Sequence, residues 1–170
     1  FSSAFSVHNL GIDLEHLPLV YMASGLCSII MGPIIGRYSD VIGKFRMFVI
    51  GSSLTIGVVI YYTHMGLSPL SLVIAVSVLM FTGVSSRMIS SSALISGIPQ
   101  LEDRGSYMAV SSSIQQISGG IAAAIAGLIV FENADGSLGN FDILGYAVAG
   151  SALVTIVMMY FINVYVQSQT

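Results

Sequence analysis

The chain has 170 residues, 55% of them hydrophobic and 8% charged, and a net charge of −3. Its mean hydropathy is +0.90. An ordinary soluble domain carries about 25% charged residues, so this composition excludes one. The apolar runs are about 20 residues long, enough to cross a bilayer. They are continuous rather than alternating, which points to helices and away from a closed barrel.

Residues 1–7 are apolar with small polar residues between. They are too short to span, and no basic stretch precedes them as in a signal peptide. We read 1–9 as the tail of a partial span and the chain as a fragment of a larger protein. Asp13 and Glu15 mark a polar connection, and 17–36 is the first full span. Pro18 lies in its first turn, where a missing N–H costs little. Gly32 and Gly36 form a small-residue pair around Pro33, which predicts close helix contact and a kink. Cys27 is the one cysteine, so an intramolecular disulfide is excluded.

The connection 36–46 holds three of the five basic residues. Its glycines permit a tight turn, and Asp40 is expected between the two helices, near the start of the second. A second span follows at 47–63, apolar on all sides, which predicts a lipid-facing helix. His64 at its end reads as an interfacial residue. The third span is 69–97. Its second part is dense in hydroxyls around Arg87, and most of these serines are expected to bond their own backbone carbonyls. Pro99 stops this helix. The fourth span, 105–131, opens after Glu102 and Asp103. It carries Gln115 and Gln116, then Gly119, Ala123 and Gly127 on one face. A polar loop, 132–142, leads to the last span at 143–166.

Arg37, Lys44, Arg46 and Arg104 lie in alternate connections, and Arg87 approaches the same side. The opposite connections hold only acids: Asp13, Glu15, Glu132, Asp135 and Asp142. By the positive-inside rule the basic side is cytoplasmic. The C-terminus is then expected inside and the protein in the inner membrane.

Gly36, Asp40, Gly43, Lys44 and Arg46 together resemble the loop signature of the major facilitator superfamily. Val41 and Phe45 stand where that signature has basic residues. The loop 99–105, with Pro99, Arg104 and Gly105, is similar to that of bacterial drug- and sugar-efflux members. The resemblance implies an all-α integral membrane fold. It implies a six-helix half bundle, its first helix truncated and corresponding to helices seven (partial) to twelve. It also implies a gating role for the signature, a substrate cavity lined by 69–97, and interface helices 17–36 and 105–131 facing an absent N-terminal half.

Arg87 has two readings. It can snorkel at the inner boundary, or pair with Asp40 to close the inner side. Arg87, Ser91, Gln115 and Gln116 are the cavity or substrate candidates. Gly32, Gly119, Ala123 and Gly127 are the helix-packing candidates. The expected function is secondary transport of a small organic solute by alternating access, with proton-coupled efflux. The alternative is a receptor or scaffold that keeps the fold. No catalytic constellation or phosphate-binding Gly-Lys-Ser/Thr motif occurs, so neither an enzyme nor a cofactor or metal is expected. The expected partners are the bilayer, the other half and the solute, with no nucleic acid. The fragment is expected to self-associate as a dimer through 17–36 and 105–131.

Overall fold

The computed structural model describes residues 1–168 except Leu101 and Asp135. Leu101 of the loop 99–105, Asp135 of the outer acids, and the end of the tail at Gln169 and Thr170 therefore lie outside the described residues. Six α-helices follow one another: α1 (Ser2–His8), α2 (Leu17–Ile42), α3 (Lys44–Thr63), α4 (Leu70–Ile95), α5 (Arg104–Ile129) and α6 (Phe141–Ser168). Five of them are long and apolar enough to cross a membrane. A two-stranded antiparallel hairpin, β1 (Phe131–Glu132) and β2 (Leu138–Gly139), interrupts the polar connection before α6.

The helices run further than the apolar runs suggest. Helix α2 continues six residues past Gly36 to Ile42, and α3 begins at Lys44. The expected turn 36–46 therefore shrinks to Gly43 alone, with φ +105° and ψ 137°. An L side chain rarely adopts that backbone, which is why a glycine stands there. Asp40 accordingly lies in the last turn of α2 and not between helices. Hydropathy ends where polar residues begin, but hydrogen-bonded helix continues into the headgroup zone. Pro33 lies inside α2 without ending it.

Helix α4 is the centre of the packing and lies against both α2 and α3, while α3 also packs on α6. The contact between α3 and α4 is close because small residues meet there. A Cβ added to Gly83 would fall 2.6 Å from Thr55 Oγ1, and one on Gly51 would fall 2.7 Å from Ser86 Cβ. Backbone approach of this kind replaces the hydrophobic drive that is missing between helices in lipid. Helix α3 is thus not a uniformly lipid-facing span. Phe48, Gly51, Ser52, Thr55 and Tyr62 are buried along it, and other positions such as Ile50 and Tyr61 stay exposed.

The serines of α4 also depart from expectation. Ser85 bonds Ser28 at 3.1 Å, Ser86 donates to the Met47 carbonyl at 3.3 Å, and Ser90 meets Ser39 at 3.5 Å. These bonds cross to α2 and α3. Ser91 alone of the four bonds its own helix, at the Met88 carbonyl. In a region without water, an interhelical partner satisfies the hydroxyl and holds the neighbour in register.

Two apolar clusters sit at opposite ends of this packing. One gathers Phe5, Leu10, Val20, Tyr62, Val73, Val130 and Phe141 beside the hairpin. Phe5 stacks on Phe141 at 4.0 Å between centroids. The hairpin is tied to α1 by Asn9, whose amide donates to the Leu138 carbonyl at 3.0 Å and accepts from its N–H at 2.8 Å. The other cluster is Phe48, Leu94 and Met159, at the end where α2 meets α3. Helix α5 differs from the rest. It has no buried residue and touches α6 only lightly.

Candidate functional site

At the α2–α3 junction the signature residues have separate tasks. Gly43 makes the reversal. Lys44 Nζ donates to the Ala93 carbonyl at 3.2 Å. Ala93 lies in the last turn of α4, where carbonyls lack helical partners and a cation is favoured. Lys44 therefore ties the start of α3 to the end of α4. Ser39, 2% exposed, lies one residue before Asp40 and meets Ser90 of α4. The sequence reading missed Ser39 as a positioning residue; its place three residues after Gly36 was the available signal. Asp40 and Arg46 are exposed and line an open cleft of about 540 Å³ with Lys44, Asn163 and Gln167. Gly36 is half-buried, with open space where a Cβ would stand.

Arg87 is on α4 but is not beside Asp40. Its Nη2 donates to Thr155 Oγ1 of α6 at 3.1 Å, and its guanidinium carbon lies 5.7 Å from the centre of the Phe48 ring. The Thr155 hydroxyl donates its own hydrogen bond to the Ala152 carbonyl at 2.8 Å, which leaves its oxygen as acceptor for Arg87. Among the described residues the one acid–base contact at salt-bridge distance is His16 Nδ1 to Asp13 Oδ2, 3.5 Å, at the other end of the molecule. The expected Arg87–Asp40 pair is therefore not formed. The reason is direction: Arg87 points across to α6, and α2 packs on a different face of α4, through Thr82, Ser85 and Ser90.

Arg87 lies on the junction side of the middle of α4, and its guanidinium rests over Phe48, the fifth residue of α3, beside the apolar cluster at that end. From there its Nη2 reaches Thr155 near the middle of the 28-residue α6. Around it is a groove of about 340 Å³ lined by Phe48, Val84, Met88, Ser91, Thr155, Met158, Met159 and Ile162. Arg87 and Ser91 are one helical turn apart on its wall.

The structure does not bring the remaining candidates to this groove. Gln115 and Gln116 are exposed on α5 and make no side-chain hydrogen bond to a described residue. The small-residue stripes are open too. Nothing lies within 4 Å of a Cβ built on Gly32 or Gly119, and at Gly127 only the Phe1 ring approaches, at 3.8 Å. Ala123 is exposed beside them. The close helix packing inside the chain is done by Gly51, Gly83 and Gly145 instead.

No group of three or more potential metal ligands occurs among the described residues. No curated protein and no solved structure gives a match to the chain. The family model of the Major Facilitator Superfamily matches residues 1–169. Together with five membrane-length helices and the glycine reversal after α2, that match over nearly the whole chain places it plainly: the protein belongs to the Major Facilitator Superfamily, a family of multi-pass secondary transporters.

Proposed function

We propose that these helices form the C-terminal half of a transporter that moves a small organic solute by alternating access, exporting it from the cell in exchange for protons. The observation that carries the reading is the largely apolar groove at Arg87, a charge held within the α4 span and answered by no carboxylate among the described residues. A charge held there is costly and marks a solute path or a protein contact. The α2–α3 junction is the gating element in this reading. Lys44 and Ser39 hold α2, α3 and α4 as one body, and Asp40 and Arg46 stay free to meet the other half. The open stripes at Gly32 and at Gly119, Ala123 and Gly127 are where that half packs, with Gln115 and Gln116 at the boundary. The inner membrane, with the α2–α3 junction and the C-terminus in the cytoplasm, follows from the basic residues at that end.

The test is transport by the full-length protein in proteoliposomes with an imposed pH gradient, using a panel of small organic solutes. Export coupled to protons predicts that adding a transported solute dissipates the gradient, and that Asp40→Asn slows this without abolishing solute binding. Solute movement indifferent to the gradient removes the coupling. Binding without any movement favours the receptor reading.

A further inference from the structure

The Arg87 groove also carries information about what enters it. Arginine stays charged in proteins and offers five N–H donors in a planar fork. One is used by Thr155. No carboxylate among the described residues lies within ion-pair distance of it, and no other described acceptor is bonded to it. An uncompensated cation held in a membrane helix is costly unless something answers it. The Phe48 ring gives partial relief from one side. The opposite side faces the groove, whose walls are apolar (Val84, Met88, Met158, Ile162) apart from the Ser91 and Thr155 hydroxyls.

We propose that the groove between α4 and α6 binds a small amphipathic organic anion, its carboxylate or phosphate on Arg87 and its apolar body along Met88, Met158 and Ile162. This rests on the transporter reading only for the statement that the anion is the transported solute. Ser91 lies one turn from Arg87 on the same wall and can donate a second hydrogen bond. The volume of about 340 Å³ suits a solute of metabolite size. A lipid phosphate offers the same anionic chemistry to Arg87, whose guanidinium lies over Phe48 near the start of α3; water-soluble anions added against a constant lipid background distinguish a solute from it.

The experiment uses the full chain in lipid nanodiscs and three matched probes: 4-phenylbutyrate, 4-phenylbutanol and 4-phenylbutylamine, with phenyl phosphate as a second anion. Arginine modification by phenylglyoxal is read peptide by peptide by mass spectrometry. The anions are expected to slow modification at Arg87 and leave Arg37, Arg46 and Arg104 unchanged; the alcohol and amine are expected to slow modification at none of the four. Arg87→Gln is expected to weaken 4-phenylbutyrate binding by about tenfold or more, as loss of a charge-assisted pair does, with Arg87→Lys retaining part of it. Equal protection by the alcohol, no protection by either anion, or undiminished anion binding in Arg87→Gln overturns the proposal. If Arg87→Gln does not fold, the footprint on the unmodified chain decides alone. Protection of Arg87 without movement of the anion in proteoliposomes overturns the transport reading and leaves the site standing.

Discussion

Gly83 and Gly51 carry a close contact between α3 and α4, as Gly145 of α6 does against Thr63 of α3, and none of them stood out in the sequence beside the conspicuous Gly-x-x-x-Gly pair. Gly83→Val places carbon atoms on Thr55, and overpacking of this kind costs about 1–3 kcal/mol. The expected outcome is a lower unfolding midpoint in mixed detergent. Gly57→Ala, in the same helix as Thr55 but facing open space, should leave that midpoint unchanged or raise it slightly. Ser52 makes a converse case. Its side chain is fully buried, and its oxygen is the one buried side-chain polar atom without a hydrogen-bond partner among the described residues. Ser52→Ala removes an unsatisfied group and is expected to stabilise by about 1 kcal/mol. Ser86→Ala, which loses the bond to Met47, should destabilise; a reversed order in the same unfolding assay would contradict this accounting.

Among the elements, the α2–α3 junction depends on one residue for its shape and another for its anchorage. Gly43→Ala forces a side chain onto a backbone with φ +105°, a strain of about 1–3 kcal/mol. Lys44→Met keeps the apolar stem and removes the bond to the Ala93 carbonyl, a loss of about 0.5–1.5 kcal/mol. Both are expected to loosen the same end of α4. Site-directed spin labels at Ala93 and Arg46 should then report a broader distance distribution in each variant, and an unchanged distribution in Lys44→Met would show that the bond does not hold the helices. Much of this was legible beforehand. That there are five long apolar helices was legible because a bilayer demands them. Their ends were not, because helical hydrogen bonding persists through the polar residues from Arg37 to Ile42 that hydropathy reads as loop. The hairpin 131–139 was read only as polar loop, since two-residue strands leave no periodic trace.

At the scale of the whole molecule, the packing is uneven. Helices α2, α3, α4 and α6 form one body, and α5 stands with no buried residue. A stripe of Gly119, Ala123 and Gly127 that only the Phe1 ring approaches among the described residues, at Gly127, is expected to pair with another surface. In a Cys27→Ser background, cysteine at Gly119 is expected to form a cross-linked dimer of the isolated chain in membranes. Recovery of monomer alone would remove self-association by this route. Orientation is tested on the same background. Cysteine at Arg46 should react with an impermeant maleimide only from the cytoplasmic side and cysteine at Asn133 only from the other. The opposite pattern would invert the assignment made from Arg37, Lys44 and Arg46.

The residues alone settled that this chain lives in a membrane, how many long helices it has, and where its signature glycines and charges fall, because hydropathy and spacing along one strand of sequence carry those facts directly. They also carried the family. What only the tertiary arrangement decided was which side of each helix meets which neighbour. Arg87 turned to Thr155 and Phe48 rather than to Asp40, the serines of α4 crossed to other helices, and Gly51 and Gly83 took the close contact. In a span that is apolar on all sides, no periodicity marks the packed face, so the rotation of each helix appears only when its small residues and hydroxyls find their partners.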